Sequence, residues 1–313
     1  MRLLFVTDAP ESLKAYKDTT VTMMRAAQAR GHEVSVCEQA TLHWVKGRVG
    51  ASAQRISLTD NDEDWYRPHE TRTLALDAYD AVLMRKDPPF DLEYVASTWL
   101  LSEAQRAGAR VFNAPDAIRD HNEKLAIFEF ARFVTPTLAA RDPETLQAFI
   151  DEHRDVIVKR LDVMGGENIF RVRADDPNRN VIVEIMSQGG SRMIMAQRYI
   201  PEISEGDKRV ILIDGELVPF CLARIPKPGE SRGNLAAGGR GVAQPVTERH
   251  REIAGVLGPI LAGRGLLLVG LDVIGDWITE VNVTSPTCFR EIRDQTGFDV
   301  ADLFVQALER RAG

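Results

Sequence analysis

Between Leu266 and Val283 the chain is almost wholly apolar, yet Asp272, Glu280 and Asn282 stand among its Val, Ile and Leu residues. The run reads as two strands joined by a tight turn at Gly275-Asp276. The apolar residues between the acids place this hairpin inside a sheet rather than on the surface. Side chains alternate across a strand, so Glu280 and Asn282 share a face. The face of Asp272 depends on the turn. A two-residue turn (Gly275, Asp276) sets Asp272 opposite Thr279, on the other face. A three-residue turn (Gly275 to Trp277) sets it opposite Glu280, on the same face. The second register gathers two carboxylates and an amide oxygen round one point. Hard divalent cations, Mg²⁺ above all, take such a set and share it with waters and phosphates.

A hairpin of this kind needs a larger fold around it, and 313 residues allow two or three domains with a sizeable core. The net charge of −7 argues against nucleic acid as a partner, so local basic clusters would serve small anions. Cys37, Cys221 and Cys288 lie far apart without metal-site spacing, which fits a reduced cytoplasmic protein. The apolar run Leu3 to Val6 is too short for a signal segment, and no stretch is long enough to span a membrane.

Residues 1 to about 120 alternate strands and helices in the pattern of a parallel α/β sheet. Strands are expected at Leu3–Thr7, Val34–Cys37, Ala81–Met84 and Arg110–Phe112, with a hairpin around Lys46-Gly47-Arg48. Helices are expected from Thr19 or Thr20, as caps, to Ala29, and from Leu92 to Ala107. No G-x-G-x-x-G follows the first strand, so a dinucleotide site is poorly supported. Arg85 leaves a strand into the proline-stiffened loop Lys86-Asp87-Pro88-Pro89, where its planar fork can grip a carboxylate. Later, Val156 to Lys159 is a strand whose lysine enters the loop holding Gly165 and Gly166, an arrangement that can face a phosphate. It is not a Walker loop. Arg209 and Arg224 fall at one open end of a ribbon and suggest a bound anion, with pairing to Asp207 and Glu230 as the rival reading. Residues 226–241 are rich in glycine and basic residues and lack apolar periodicity, as suits a flexible lid.

Several segments together resemble the bacterial glutathione synthetases of the ATP-grasp superfamily. They are Met84 to Asp91, Asn122-Glu123-Lys124-Leu125, Gly206 to Val210, Cys221 to Pro226, Arg232 to Gly241 and Gly270 to Thr287. The resemblance covers essentially the whole chain. It implies an α/β (α+β) ATP-grasp fold: a Rossmann-like parallel α/β domain over 1–121, a central lid subdomain over 122–200 and a catalytic subdomain over 201–313. It also implies ATP-dependent joining of γ-glutamylcysteine to glycine, with ATP, Mg²⁺ or in its place Mn²⁺, and a homotetramer.

Carried over by position, the resemblance makes Asp272, Glu280 and Asn282 the metal ligands. It sets Lys124, Lys159, Gly165 and Gly166 on the ATP phosphates. Gln197, Arg198, Tyr199 and Ile200 become the adenine hinge, with Asp207 close by. Arg209 and Arg224 would meet the transferred phosphoryl group, with Lys159 a third catalytic cation. Arg85, Arg232, Asn234, Gly239, Arg240, Ser285 and Arg290 would hold the substrates. The chain departs from the family loop Lys-Pro-Leu-Asp-Gly-Met-Gly-Gly, with Arg160 for its proline and Val163 for its first glycine. A β-branched residue resists positive φ at a cost of about 1–3 kcal/mol. Arg198 replaces the usual hinge asparagine. Another ATP-grasp ligase with a different acid or amine is the nearest rival, and a nucleotide-binding regulator without turnover the next.

Overall fold

A computed structural model describes residues 1–313 apart from 163–167, 231, 232, 234, 236 and 237. Val163, Gly165, Gly166, Arg232 and Asn234 therefore lie outside the described residues.

Three sheets follow one another along the chain. The first has a parallel centre, ordered Glu33–Glu38, Arg2–Thr7, Ala81–Met84 and Val111–Phe112. Leu3 to Val6 and Ala81 to Met84 are at most 1% exposed, as an unbroken apolar run must be when both sheet faces are covered. The expected parallel sheet holds for this centre only. An antiparallel ribbon, Arg48–Leu58 with Tyr66–Ala75, extends one side, and His43–Val45 folds back on Arg48–Gly50. Tyr66–Ala75 escaped the sequence reading because it is polar on both faces and largely exposed at the sheet edge. An edge also tolerates Pro68, which has no amide proton to give. The helix Thr19–Ala29 is capped one residue before the first expected cap. Asp18 is the cap, its carboxylate accepting from the Val21 amide at 2.8 Å, and the threonines form the first buried turn.

The second sheet is antiparallel, ordered Ile169–Arg173, Asp155–Arg160, Ile194–Arg198 and Thr137–Ala140. Helices Pro143–His153 and Arg179–Ser187 cover one face, where Val156, Val158, Ile194 and Ala196 are buried. Alternation then turns Lys159 and Gln197 to the other face. The third sheet runs Arg240–Pro245, Phe220–Ile225, Asp207–Ile213, Leu268–Ile274 and Trp277–Asn282. Val210, Leu212, Leu271, Val273, Ile278 and Val281 pack beneath helix Glu248–Gly263. The same alternation sets Asp207, Arg209, Arg224 and Asp272 on the opposite face, beside Ile211 and Leu222, which enter the core shared with the last two helices.

The last two helices, Phe289–Thr296 and Val300–Ala312, return to the first sheet. Phe304, Val305 and Leu308 share one core with Phe5, Met23, Leu83 and Ile211, so apolar packing joins the first and third sheets. Arg30 reinforces the contact by pairing with Asp302 at 2.9 Å and Glu309 at 2.7 Å.

Helix Glu248–Gly263 starts with a reciprocal cap. The Thr247 hydroxyl accepts from the His250 amide at 3.3 Å, and His250 Nδ1 accepts from the Thr247 amide at 3.2 Å. Burial pushes His250 down to about 4 from its usual 6.5, so the folded ring stays neutral and keeps its acceptor. An unfolded chain takes up that proton near 6.5, so this stabilisation is complete above that pH and is lost as pH falls toward 4. His250→Gln preserves the capping acceptor without titrating. Its melting temperature should therefore fall less between about pH 7 and about pH 5 than the parent's. Equal falls in the two proteins would contradict the assignment.

Candidate active site

The acid-bearing hairpin follows neither of the two simple registers. Its turn is the two-residue one: Ile274 pairs with Trp277 across Gly275-Asp276, and Gly275 takes φ 55°. A β-bulge between Asp272 and Val273 then sets Asp272 opposite Glu280, with Val273 opposite Ile278 and Thr279 as the extra residue. The bulge explains how Ile278 and Val281, three apart, both enter the helix-covered core. It also turns Asp272, Glu280 and Asn282 toward one cavity on the opposite side.

That cavity, about 220 Å³, lies between the third sheet, the loop after the hairpin, Glu123-Lys124 and the Asp87-Pro88 loop. Asp272 is 3% exposed and sits between two guanidinium groups. Arg209 Nε donates to it at 2.7 Å, and Arg224 lies 2.9 Å from its other oxygen. Burial alone would raise the Asp272 carboxyl, but these two arginines hold it well below the usual carboxylate range. Arg224 also pairs with Asp207 at 2.5 Å. Burial, only partly offset by Arg224, raises Asp207, and among the described residues its Oδ1 has no hydrogen-bond partner. Asp207 therefore belongs to this ionic core. Gly270 makes the cluster possible, because a Cβ there would lie 2.8 Å from Arg209 Cδ.

Glu280 forms the second half. Lys159 Nζ lies 3.3 Å from its Oε1 and donates to the Thr279 carbonyl at 3.2 Å, while Lys124 Nζ lies 3.8 Å away. Both lysines are buried. Desolvation lowers the Lys159 ammonium, with Glu280 opposing. Asn282 donates through Nδ2 to the Gly270 carbonyl at 3.1 Å. Among the described residues no three His, Cys, Asp or Glu side chains form a metal cage. Two carboxylates and an amide oxygen are the donor set on hand, and such a set suits a hard cation that completes its shell with phosphate oxygens.

Gln197, Arg198, Tyr199 and Ile200 lead out of the second sheet toward the third. Gln197 is buried and donates to Thr137 Oγ1 at 3.0 Å. The backbone is anchored by Arg198 N to Pro136 O and Tyr199 N to Asp155 O, both 2.9 Å. Arg160 pairs with Asp162 at 2.6 Å. Gly239 and Arg240 lead into the edge strand, where Arg240 is exposed and pairs with Ile225.

Two expected substrate residues stand elsewhere. Arg85 is buried and gives its donors to the scaffold: Nε to Thr20 Oγ1 at 3.1 Å and Nη2 to the Pro286 carbonyl at 2.9 Å. Arg290 faces away from the cavity and pairs with Asp62 at 3.1 Å and Asp294 at 2.8 Å. Ser285 does line the cavity, its hydroxyl donating to Asp87. Sequence reasoning missed Glu123 as a cleft residue, although it was quoted beside Lys124. Cys37, Cys221 and Cys288 are free and buried.

Comparison with known proteins agrees across the chain. Residues 1–119 match the family of prokaryotic glutathione synthetase N-terminal domains, and residues 123–297 match that of prokaryotic glutathione synthetase ATP-grasp domains. Glutathione synthetase of Ralstonia nicotianae is 56% identical, the alignment covering 100% of this chain and 97% of that protein. Glutathione synthetase of Pseudomonas aeruginosa is 50% identical, covering 98% and 97%. Among solved structures, D-cycloserine synthetase DcsG superposes with a TM-score of 0.69 at 16% identity over 100% of both chains. The ATP-grasp ligase PsnB complexed with minimal precursor, Mg and ADP reaches 0.63 at 18% identity, covering 99% and 97%. These two likenesses concern the fold.

The position of Arg85 gives a testable outcome. Arg85→Ala should lower stability by about 2–3 kcal/mol, since it removes a buried charged donor from the Pro286 carbonyl. Chemical denaturation measures this. An unchanged stability with a raised peptide KM would instead return Arg85 to direct substrate contact.

Proposed function

The chain belongs to the prokaryotic glutathione synthetase family and is an ATP-dependent ligase that makes glutathione, and we propose that the reaction runs in the cleft lined by Asp272, Glu280, Asn282, Lys124, Lys159, Arg209 and Arg224. The observation that carries this reading is that four buried cations converge on two carboxylates of one cavity: Arg209 and Arg224 on Asp272, and Lys124 and Lys159 on Glu280. Another carboxylate–amine ligase or a silent nucleotide binder is not favoured, given relatives at 50–58% identity over the full length.

The chemistry fits those residue types. The cysteinyl carboxylate of γ-glutamylcysteine attacks the γ-phosphorus of ATP, breaking its bond to the bridging oxygen and releasing ADP. The resulting acyl phosphate is attacked by the glycine amine, so that an amide forms, phosphate leaves with the C–O electron pair, and the amine loses a proton. Both steps gather negative charge, and preorganised cations stabilise it. Lys124 and Lys159 hold the nucleotide phosphates, and Arg209 and Arg224 hold the transferred phosphoryl group. Gly165 and Gly166 would approach the phosphates from the loop after Lys159. Gln197 to Ile200 bind the adenine, and Asp207 keeps Arg224 in place. Asp272, Glu280 and Asn282 would hold Mg²⁺, or Mn²⁺ in its place, which supplies charge neutralisation to the phosphates. The 226–241 segment, with Arg232, Asn234, Gly239 and Arg240, covers the peptide beside Ser285 and keeps water from the acyl phosphate. Arg85 and Arg290 brace this cleft from outside.

We assign an N-terminal domain to 1–121, a lid subdomain to 122–200 and a catalytic subdomain to 201–313, a division supported by one sheet falling in each range. A reduced cytoplasmic setting suits three buried free thiols. A homotetramer would cover apolar side chains now exposed, such as Trp44 at 59%, Leu92 at 78% and Trp99 at 55%.

Purified protein should release ADP and phosphate only with ATP, γ-glutamylcysteine and glycine together. Asp272→Ala, Glu280→Ala and Asn282→Ala should each cut turnover by about 10²-fold or more while circular dichroism stays unchanged. A folded Glu280→Ala protein with near-normal turnover in Mg²⁺ would sink the metal assignment. Turnover with a different acid alone would sink the cleft's assignment to this peptide.

A further inference from the structure

Strand Trp277–Asn282 is the edge of its sheet, so the amides on its outer side have no neighbouring strand to bond. One residue supplies the missing acceptors. The Glu123 carbonyl accepts from the Val281 amide at 2.8 Å. Its Oε1 accepts from the Val283 amide at 3.0 Å, the Thr284 amide at 3.1 Å and the Thr284 hydroxyl at 2.8 Å. Glu123 thus grips the chain on both sides of Asn282. Its own neighbours are fixed as well. Asn122 Oδ1 accepts from the Lys124 amide at 3.2 Å and the Leu125 amide at 3.1 Å, while Asn122 Nδ2 donates to the Leu161 carbonyl at 3.3 Å. The residue after Glu123 is Lys124, whose ammonium faces Glu280 from within the same cavity.

We propose that Glu123 is a positioning residue for the ligation, clamping Asn282 and the Thr284-Ser285 loop in register with Lys124. The proposal rests on the reading of Asn282 as a cation ligand. Without the Glu123 side chain, the chain just past Asn282 loses three acceptor contacts, at the Val283 amide and at the Thr284 amide and hydroxyl. Asn282 is then supported by the Gly270 carbonyl and, on its outer side, by the Val281 amide bond to the Glu123 carbonyl alone. Displacements of about 1 Å at such a group are enough to cost of the order of 10²-fold in rate.

The test uses the full chain with ADP and Mg²⁺ as probe. Glu123→Ala should lower kcat about 10- to 100-fold and raise several-fold the Mg²⁺ concentration at which calorimetry detects half-maximal ADP binding. Glu123→Gln keeps a carbonyl oxygen where Oε1 accepts, so it should recover most of both properties. Thr284→Val removes one bond only and should shift Mg²⁺ dependence in the same direction by a smaller factor, even where Glu123→Ala folds poorly. A merely structural role would lower the melting temperature and leave Mg²⁺ dependence unchanged, which overturns the proposal. Equal losses in Glu123→Gln and Glu123→Ala overturn it too, since they would require the charge itself. Asn282→Ala serves as the reference. Should it bind MgADP normally, the cation reading fails and the proposal with it. Should it be impaired beside a normal Glu123→Ala protein, the proposal alone fails.

Discussion

Asp272 lies between Arg209 and Arg224, and most of the cleft's construction serves to bury those three charges together. Removing charges from water is expensive, and close pairing only partly offsets it. A buried carboxylate held by two guanidiniums is consequently poor evidence for stability and good evidence for use. Gly270 gives up a side chain so that Arg209 can lie flat beside Asp272. Asp207 takes the second side of Arg224, with one oxygen that no described residue bonds. Glu280 repeats the scheme with two lysines. In the proposed reaction, a carboxylate in each half keeps a pair of cations in place until a more highly charged anion arrives to share them. A nucleoside triphosphate would be such an anion, and the cluster would then need little reorganisation when negative charge builds during transfer.

The bulge at Thr279 is the structural event on which this depends. A strand alternates its faces, so a regular two-residue hairpin would have sent Asp272 and Glu280 to opposite sides. One extra residue inverts the return strand after the turn. Ile278 stays in the core while Glu280 and Asn282 reach the cleft. From the sequence the shared face was visible only as one of two registers, tied there to turn length. The turn proved short and the bulge did the work, because a bulge inside an apolar strand leaves no compositional mark.

Other parts differ in legibility for equally physical reasons. Strands buried on both faces, such as Leu3–Val6, announce themselves as apolar runs, and the helix from Pro143 carries its capping Asp142. Tyr66–Ala75 is a polar edge strand and gives neither signal. The cap at Asp18 was shadowed by two threonines that are equally good candidates by type. At the site, the residue types and their order identified the cations and acids that meet in the cleft. Arg85 and Arg290 give their donors to other groups of the chain, which the sequence could not show, because an arginine near a loop looks the same whether its donors face a ligand or the scaffold. Glu123 was overlooked because its partners, the amides of Val283 and Thr284, have no identity in the sequence at all.

The central claim is that Asp272, Glu280 and Asn282 exchange their present partners for a divalent cation when nucleotide binds. Anomalous diffraction from crystals grown with ADP and Mn²⁺ measures this directly. The expected result is a metal peak within about 2.3 Å of oxygens from all three side chains, with the nucleotide phosphates completing its shell. A metal bound only to ADP, with Asp272 still paired to both Arg209 and Arg224, would contradict it.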